Sequence, residues 1–252
     1  MRDFEMKSEK ATTIKTANPS VILIIPAYNE AENIERVVDD LIEHYPQYDY
    51  VVVNDGSRDA TPEICRRKGY NFLDMPINVG LSDAVQAGMM YAYAHGYDYA
   101  VQFDGDGQHD PAYIEAMVNA MDDCDICIGS RFAEKKKPHS MRMIGSRVIA
   151  GTISLTVHRR IKDPTSGMRM YNRRVMKVMS EQVDYGPEPD TIAHLIRSGA
   201  RVKEVQVEMR ERIAGKSYLN LTRSLRYMTH MCFSITFIQW CRKKVKLQEV
   251  RK

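Results

Sequence analysis

The sequence predicts an α/β fold with a mostly parallel, doubly wound sheet and a C-terminal helical extension. From residue 21 to about residue 130, short apolar runs alternate with segments whose apolar residues recur at a helical period. The connections between them are short, which is typical of strand–helix–strand units. Each unusual polar cluster in this half directly follows a predicted strand. We therefore expect these clusters to meet at one edge of the sheet.

The first half of the chain supplies most of the predicted sheet. Residues 21–25 form a continuous β-branched run, which is the pattern of a buried parallel strand. Apolar residues at 34, 37, 38, 41 and 42 then recur with the period of a helix. Asp59 or Thr61 caps the second helix. The predicted strands are Val21–Ile25, Tyr50–Asn54, Asn71–Leu73, Tyr99–Phe103 and Ile126–Ile128, and the other helices are Glu30–His44, Leu81–His95 and Pro111–Met121.

The second half is less regular, and it sets the predicted domain limits. It contains a turn at Asp163–Gly167 that leads into Met168–Tyr171, and a long final helix, Leu219–Trp240. Further predicted elements are a helix over Met141–His158, a helix over Glu188–Arg197 and a strand over Val202–Val207. We predict a flexible tail over residues 1–20, one main domain over 21–217, and an amphipathic helix with a basic tail over 218–252.

Composition excludes several classes of protein. A net charge of +3 is too small to indicate nucleic-acid binding. Five cysteines, an odd number without framework spacing, indicate a reducing compartment. Cys124 and Cys127 have C-x-x-C spacing, but we interpret their segment as a buried strand because no second Cys/His pair is near. There is no secretory signal, and the apolar stretch Met228–Trp240 is shorter than the roughly twenty residues a span needs. We therefore expect a cytoplasmic protein that is either soluble or located at the inner face of the membrane.

The polar segment after the predicted strand Tyr99–Phe103 carries the most chemistry. It reads Asp-Gly-Asp-Gly-Gln-His-Asp over residues 104–110. In an extended chain alternate side chains share a face, so Asp104, Asp106 and Gln108 are expected to point the same way. Three oxygen donors suit a hard divalent cation that keeps positions open for phosphate oxygens. The alternative is an acidic turn exposed to solvent.

Seven motifs in order make the chain resemble the inverting glycosyltransferases of family two, and most of all the branch of dolichyl-phosphate mannose and glucose synthases. They are PAYNE at 26–30, VNDGSRDAT at 53–61, NVG at 78–80, DGDGQHDP at 104–111, GSRF at 129–132, DPTSGMR at 163–169 and R-x-x-G-x-S at 212–217. The resemblance implies the A-type fold, with a Rossmann-like nucleotide-binding half. Two departures are Tyr218, where lipid-phosphate members often have lysine, and the lack of that branch's transmembrane segments.

The resemblance also implies roles for individual residues. Tyr28 offers a ring for stacking on the base, and Asp55 accepts a hydrogen bond from a base N–H. Asp104, Asp106 and Gln108 hold Mg²⁺ or Mn²⁺ on the diphosphate, where the ion acts as a Lewis acid on the leaving group. The implied nucleotide-sugar site comprises Pro26, Ala27, Tyr28, Glu30, Asp55, Gly80, Asp104, Gly105, Arg131 and Lys216, with Arg212 as a further cation around the diphosphate.

Several of these residues have a plainer alternative. Asp55 can simply cap a turn, and Arg131 can form an ordinary surface ion pair. His109 lies in the metal loop, where a supporting role is favoured over that of a base. The basic run Lys135–Lys137 is either a solvated loop or a loop that closes over phosphate.

The acceptor decides whether a catalytic base is needed. A sugar hydroxyl must lose its proton, and Asp190 occupies the position of an acidic base in hydroxyl-accepting members that resemble this chain. Glu188 is the reserve candidate and Asp163 a distant third; alternatively, Asp190 only caps its helix. A phosphate acceptor is already anionic and needs no base. We expect a UDP-sugar donor and a lipid-linked or polysaccharide acceptor, as in cell-wall assembly, with a polyprenyl-phosphate synthase using GDP- or UDP-sugar as the alternative.

The C-terminal helix has two interpretations. Its apolar stretch lies between basic residues, so residues 219–246 can lie on an anionic membrane. Alternatively, the helix packs on the domain or on a second subunit.

Two other classes of function also stay open. A sugar nucleotidyltransferase would have a glycine-rich basic loop where this chain has Pro-Ala-Tyr-Asn-Glu. An inactive binding module would be expected to lack metal ligands, whereas Asp104, Asp106 and Gln108 are all present.

Overall fold

The computed structural model describes residues 18–138, 141–181, 186–210 and 221–247. Within these ranges the strands form one seven-stranded sheet in the order β3-β2-β1-β4-β6-β5-β7. The strands are β1 (Val21–Ala27), β2 (Asp49–Asn54), β3 (Phe72–Asp74), β4 (Tyr99–Gln102), β5 (Ile126–Ser130), β6 (Arg169–Asn172) and β7 (Val202–Gln206). All neighbouring strands are parallel except β6, which is antiparallel to β4 and β5. The mostly parallel sheet is confirmed.

The helices cover both faces of the sheet. They are α1 (Ile34–His44), α2 (Thr61–Lys68), α3 (Leu81–Ala94), α4 (Ile114–Ala120), α5 (Met141–Val157), α6 (Arg173–Glu181), α7 (Pro189–Arg197), α8 (Leu221–Phe233) and α9 (Gln239–Cys241). Alternate residues of β1 separate the two cores, as the strand period of two requires. Leu23 and Ile25 pack with α1, α2 and α4, whereas Ile22 and Ile24 pack with α3, α6 and α7. The doubly wound arrangement follows from this division.

Strand β6 and helix α6 have no counterpart among the predicted elements. The sequence places a turn before Met168–Tyr171 without assigning a strand. In the structure Met170 pairs with Val101 of β4 on one side and with Cys127 of β5 on the other. Strand β6 is four residues long and is inserted between strands that precede it in the chain. Such a short, non-local pairing leaves no distinctive pattern in the sequence.

The described part of the C-terminal segment, residues 221–247, packs against the main fold. The single predicted helix is interrupted, because a π-helical turn over Ser234–Ile238 separates α8 from α9. Met231, Ile235 and Val245 are buried in the same core as α5 and α7. In the described residues, no helix has both the length and the apolar character that crossing a membrane requires. The predicted domain limit at 217/218 lies outside the described residues, and so does nearly all of the predicted tail.

The two cysteines with C-x-x-C spacing are buried. Cys127 lies in β5 and Cys124 just before it. Burial raises the pKa of the Cys124 thiol to about 11 and that of Cys127 to about 12. Thiols in this state are poor nucleophiles and poor metal ligands, because both roles need the thiolate. The structure therefore agrees with the interpretation of this segment as a buried strand.

Candidate active site

A cavity of 360 Å³ opens at the carboxyl ends of β1, β2 and β4. This is where the strand order reverses direction, because β1 lies between β2 and β4. The cavity joins segments that are up to 80 residues apart in the chain. Its lining residues are Pro26, Ala27, Tyr28, Glu30, Asp55, Asn78, Gly80, Leu81, Ala84, Asp104, Gly105 and Asp106. The structure thus brings together eight residues of the predicted nucleotide-sugar site and two of the three predicted metal ligands, Asp104 being in both sets.

The loop after β1 is fixed to the loop after β2 by hydrogen bonds. Asn29 adopts a left-handed conformation with φ 56°, and its side-chain oxygen accepts a hydrogen bond from the backbone N–H of Arg58 at 2.8 Å. The Asn29 N–H donates to the Ser57 hydroxyl at 3.0 Å, and the Glu30 N–H donates to the Thr61 hydroxyl at 2.9 Å. Asparagine tolerates this conformation better than most residues. The position was not singled out from the sequence, although it lies inside the PAYNE motif.

Asp55 holds the loop that leads into α3. Its carboxylate accepts hydrogen bonds from the backbone N–H groups of Val79 at 2.7 Å and Gly80 at 2.9 Å, and from the Asn78 amide at 2.8 Å. Asp55 is only 3% exposed, yet it lines the cavity. Oδ1 receives one of these three bonds and Oδ2 the other two. A carboxylate oxygen can accept two hydrogen bonds, so Oδ1 retains capacity for a ligand N–H.

The segment after β4 is a turn, which corrects the prediction that it is extended. Strand β4 ends at Gln102, one residue earlier than predicted, and Gly107 has φ 76°, so side chains no longer alternate. The Asp106 carboxylate accepts a hydrogen bond from the Gln108 N–H at 3.0 Å, which closes the turn. Asp104 and Asp106 line the cavity, whereas Gln108 is not among its lining residues.

The buried ring of His109 holds this turn in place through contacts with Asp104. Its Nδ1 accepts a hydrogen bond from the Asp104 N–H at 2.9 Å, and its Nε2 lies 3.5 Å from an Asp104 carboxylate oxygen. The ring is 3% exposed and packs edge-on against Phe103. A buried ring with both nitrogens directed at Asp104 positions that residue, so the structure favours the supporting role over that of a base.

The acidic turn has the chemistry of a site for a phosphate-bound cation. Carboxylate oxygens are hard ligands, and Mg²⁺ in phosphate-transferring sites is usually held by one or two carboxylates together with substrate oxygens. Asp106 is 6% exposed and faces the cavity with Asp104. Gly167 lies against the other side of Asp104, where an added Cβ would be 2.8 Å from its carboxylate. In the described ranges no group of three His, Cys, Asp or Glu side chains has the spacing of a self-sufficient metal site. Two carboxylates therefore fit a cation shared with a diphosphate.

Arg131 is bound to a buried carboxylate beside the cavity. Its guanidinium donates to Asp163 through Nε at 2.7 Å and Nη2 at 2.8 Å, and its backbone N–H adds a third bond. Burial alone would raise the pKa of the Asp163 carboxyl, but hydrogen bonds and charge from Arg131 outweigh it and leave the pKa below its ordinary value. The pair is buried at its acidic end, so it is not an ordinary surface ion pair. Arg131 is not among the residues that line the cavity.

The basic loop that follows is anchored at both ends. Lys135 pairs with Glu208, and the Lys137 ammonium donates to the Ser146 hydroxyl at 2.8 Å. The same ammonium lies over the Phe132 ring, 5.4 Å from its centroid. Burial lowers the pKa of Lys137. Lys135 and Lys136 are exposed, as in a solvated loop, whereas Lys137 is half-buried.

The two predicted bases contact the C-terminal helix. The Asp190 carboxylate accepts hydrogen bonds from the Ser234 hydroxyl at 2.5 Å and the Gln239 amide at 3.0 Å. Glu188 accepts a hydrogen bond from the Tyr227 hydroxyl at 2.5 Å. Burial, reinforced by Glu188, raises the Tyr227 pKa, so this proton stays on tyrosine. Neither acid is among the cavity-lining residues.

Buried Arg169 connects the two loops on this side of the site. It begins β6, is 2% exposed and donates to the carbonyl of Pro164 at 2.7 Å and to that of Pro187. The Pro187 loop also approaches the start of α3, because a Cβ on Gly186 would overlap Ser82. Arg169 was visible in the sequence only as the last residue of the DPTSGMR motif. The predicted site residues Arg212 and Lys216 lie outside the described residues.

Comparisons with known proteins show the family of this chain. The family model described as Glycosyl transferase family 2 matches residues 22–179. The undecaprenyl-phosphate mannosyltransferase of Micrococcus luteus is 31% identical over 219 residues, which are 79% of this chain and 87% of that protein. The polyprenol monophosphomannose synthase of Mycolicibacterium smegmatis is 28% identical over 226 residues, covering 84% and 85% of the two chains.

Solved structures show the same fold at low sequence identity. Glucosyl-3-phosphoglycerate synthase from Mycobacterium tuberculosis, in complex with Mn²⁺ and UDP-glucose, has a TM-score of 0.62 at 14% identity, covering 88% of this chain and 79% of that one. A mannosyltransferase from Pyrobaculum calidifontis, in complex with GDP-Man and Mn²⁺, has a TM-score of 0.58 at 17% identity, covering 92% and 66%. The A-type fold is thereby confirmed, and the match to the family model decides for a glycosyltransferase over a sugar nucleotidyltransferase. This chain belongs to glycosyl transferase family 2 and is a glycosyltransferase.

Proposed function

We propose that this glycosyltransferase moves a sugar from a nucleoside diphosphate sugar to a polyprenyl phosphate. The observation that carries the choice of acceptor is the state of Asp190, whose carboxylate is bound by Ser234 and Gln239. An acid held in this way is poorly placed to accept a proton from a hydroxyl in the cavity. A phosphate monoester is already ionised and needs no such base. The names of the relatives that match most of the chain, which include polyprenyl-phosphate transferases, support the same choice.

The donor binds in the cavity at the switch point of the sheet. Tyr28 offers an aromatic ring to the base, and Asp55 Oδ1 can accept a hydrogen bond from a base N–H. Both uracil and guanine carry such a group, and the solved neighbours include complexes with UDP-glucose and GDP-Man. We keep a UDP-sugar as the first expectation. The diphosphate then lies toward Asp104 and Asp106.

Asp104 and Asp106 would hold Mg²⁺ or Mn²⁺ against that diphosphate. The bound cation would neutralise negative charge on the leaving nucleoside diphosphate. The chain itself fixes the two carboxylates, because the Gln108 N–H holds Asp106 and His109 holds the backbone of Asp104. Rigid positioning of this kind removes the need to reorganise the site during the reaction.

Transfer is a single in-line displacement with inversion. An acceptor phosphate oxygen forms a bond to the anomeric carbon as the bond from that carbon to the diphosphate oxygen breaks. The bonding electrons leave with the nucleoside diphosphate, and no proton has to be removed from the acceptor. The chain contributes by aligning the donor along β1, β2 and β4 and by holding the loops at Pro164 and Pro187 through Arg169.

The test is nucleoside diphosphate release from UDP-, GDP- and dTDP-sugars with Mn²⁺, each with and without polyprenyl phosphate. We expect release that requires the lipid phosphate, and radioactive sugar recovered in the organic phase. Asp190→Asn should keep transfer within about tenfold of the natural chain, whereas Asp106→Asn should lose about a hundredfold or more. Release that ignores the lipid phosphate and disappears in Asp190→Asn would contradict the proposal and establish a hydroxyl acceptor with Asp190 as its base.

A further inference from the structure

Helix α5 presents an exposed apolar stripe to solvent. Ile144 is 47% exposed, Val148 50% and Leu155 80%. These residues are four and seven positions apart, so they lie on one face of the helix, with exposed Gly151 between them. Leaving large aliphatic side chains in water forgoes their burial energy. A continuous stripe of this kind marks an interaction surface rather than a chance exposure.

The C-terminal segment presents a second stripe of the same character. Phe233 at the end of α8 is 56% exposed, and Phe237 and Ile238 in the π-helical turn are 58% and 41% exposed. The two rings contact each other, with centroids 5.1 Å apart. On the opposite side of this turn, Ser234 and Ile235 are buried. The segment is therefore amphipathic, and its apolar outer side has no covering element in the described structure.

The two stripes border one interhelical seam. Gly145 of α5 packs against the Met228 side chain, and further along the Thr152 hydroxyl lies 3.5 Å from the Cys232 sulfur. From the first contact to the second, the residue number increases in both helices, so α5 and α8 run in the same direction. Successive residues of a helix are rotated by about 100° around its axis. Measured from the contact residues Thr152 and Cys232, the exposed apolar residues of α5 and those of the C-terminal segment therefore lie on the same side of the seam. We call the surface formed by Ile144, Val148, Leu155, Phe233, Phe237 and Ile238 the apolar face.

The sequence segments that contain the apolar face carry charged residues of one sign. The segments 135–162 and 212–248 contain 16 of the chain's 36 Lys and Arg residues and none of its 33 Asp and Glu residues. The rest of the chain therefore has 20 such cations against 33 anions, although the whole carries only +3. Exposed members around α8 and α9 include Arg226, Lys243, Lys244 and Lys246. The exposed cations of α8 and of the segment after α9 therefore place positive charge beside the apolar face.

We propose that the apolar face docks on an anionic lipid bilayer, with aliphatic and phenyl side chains in the interface and basic residues at the headgroups. An apolar stripe flanked by cations is the pattern of a helix that lies on a membrane surface. A second copy of the chain would bring an equally positive surface to the same place. Nucleic acid would use the cations but would leave the six apolar side chains in water.

Docking would place the lipid beside the acceptor side of the active site. The π-helical turn that exposes Phe237 holds Asp190 through Ser234, and Tyr227 of α8 holds Glu188. The loop over residues 186–190 thus lies directly beneath the docked helix. The inference deepens the proposed function, since it brings a lipid-linked acceptor to the loop. Membrane binding itself requires neither donor nor acceptor, so it can be tested separately.

The experiment is flotation of the full chain with vesicles of phosphatidylcholine alone or mixed equally with phosphatidylglycerol. We expect at least tenfold tighter partitioning to the anionic vesicles, weakened by salt because the Debye length falls. Leu155→Glu and Phe237→Glu should each reduce partitioning by tenfold or more. Ile42→Glu is the matched control, because Ile42 is 47% exposed on α1, across the sheet, and its replacement should change nothing. Thermal melting checks that all variants fold.

Equal binding to both kinds of vesicle, or loss of binding in Ile42→Glu alone, would overturn the proposal. A change in sedimentation mass caused by Leu155→Glu without any effect on vesicle binding would instead make the face a contact between copies. Transfer to a short-chain, water-soluble polyprenyl phosphate separates this inference from the proposed function. That activity should survive Leu155→Glu, whereas its absence from the natural chain would reject the proposed acceptor and leave vesicle binding unaffected.

Discussion

At the scale of single residues, the loop that borders the cavity depends on a close backbone approach at Gly56. Gly56 and Gly69 both adopt the left-handed conformation, with φ 59° and 66°. An added Cβ on Gly56 would be 2.5 Å from the backbone nitrogen of Asn78 and nearer still to the carbonyl carbon of Ile77. A Cβ on Gly69 would meet nothing within 4 Å. Replacing Gly69 by alanine would therefore introduce conformational strain alone, whereas replacing Gly56 would add steric overlap.

Gly56→Ala is expected to cost more stability than Gly69→Ala. The Gly69 variant should lose about 1 kcal/mol of unfolding free energy, the cost of a left-handed alanine. The Gly56 variant should lose about 2–4 kcal/mol, because the backbone at Ile77 and Asn78 must also move. Urea denaturation measures both values. Equal losses of unfolding free energy in the two variants would show that the loop moves aside at no energetic cost. The hydrogen bonds of Asp55 would then contribute little to the position of this loop.

At the scale of elements, an ion pair joins the end of β5 to the turn before β6. Arg131 and Asp163 make two side-chain hydrogen bonds, at 2.7 and 2.8 Å, and Asp163 is fully buried. The folded state holds the Asp163 pKa below its unfolded value. Its contribution to stability is therefore present above the unfolded pKa of about 4 and is lost as pH falls through the folded pKa.

Asp163→Asn should flatten the acid side of the stability curve. We expect the natural chain to lose stability below about pH 4 partly through this carboxylate, and the variant to lack that part of the slope. At neutral pH the variant should be less stable by about 2–4 kcal/mol, because Arg131 loses its buried partner. Asp123→Asn is the control, since Lys203 also lowers the Asp123 pKa but both side chains are exposed. Acid denaturation with an unchanged slope in Asp163→Asn would contradict the argument.

At the scale of the whole molecule, donor and cation binding should be linked to each other and to stability. Asp104 and Asp106 offer few ligands for a free cation, and a diphosphate supplies the missing oxygens. We expect Mn²⁺ alone or UDP alone to raise the melting temperature little, and both together to raise it by several degrees. Differential scanning fluorimetry measures the shifts. Asp106→Asn should abolish the joint effect, and an equal shift from UDP without Mn²⁺ would show that the cation is not part of the donor site.

Sequence patterns were sufficient for the features that depend on local chemistry. The loops after β1, β2 and β4 were expected to meet, and they do, because the carboxyl ends of adjacent parallel strands share one edge. The same patterns were misleading at residues 104–108. There Gly107 takes a positive φ and turns the chain, and Gln108 is not among the residues that line the cavity. A glycine between polar residues permits such a turn, but its presence in the sequence does not predict one.

The sequence by itself determined the fold class, the family and most of the residues that line the cavity, because period, strand-end position and motif order are local properties. Only the tertiary structure decided what the remaining site residues contact. Asp190 meets Ser234 and Gln239, more than 40 residues later, and Arg131 meets Asp163. It also decided that β6 enters the sheet antiparallel and that α5 and α8 share one apolar face. Such pairings depend on how distant elements pack, and packing energy is shared among many residues rather than encoded in any one segment.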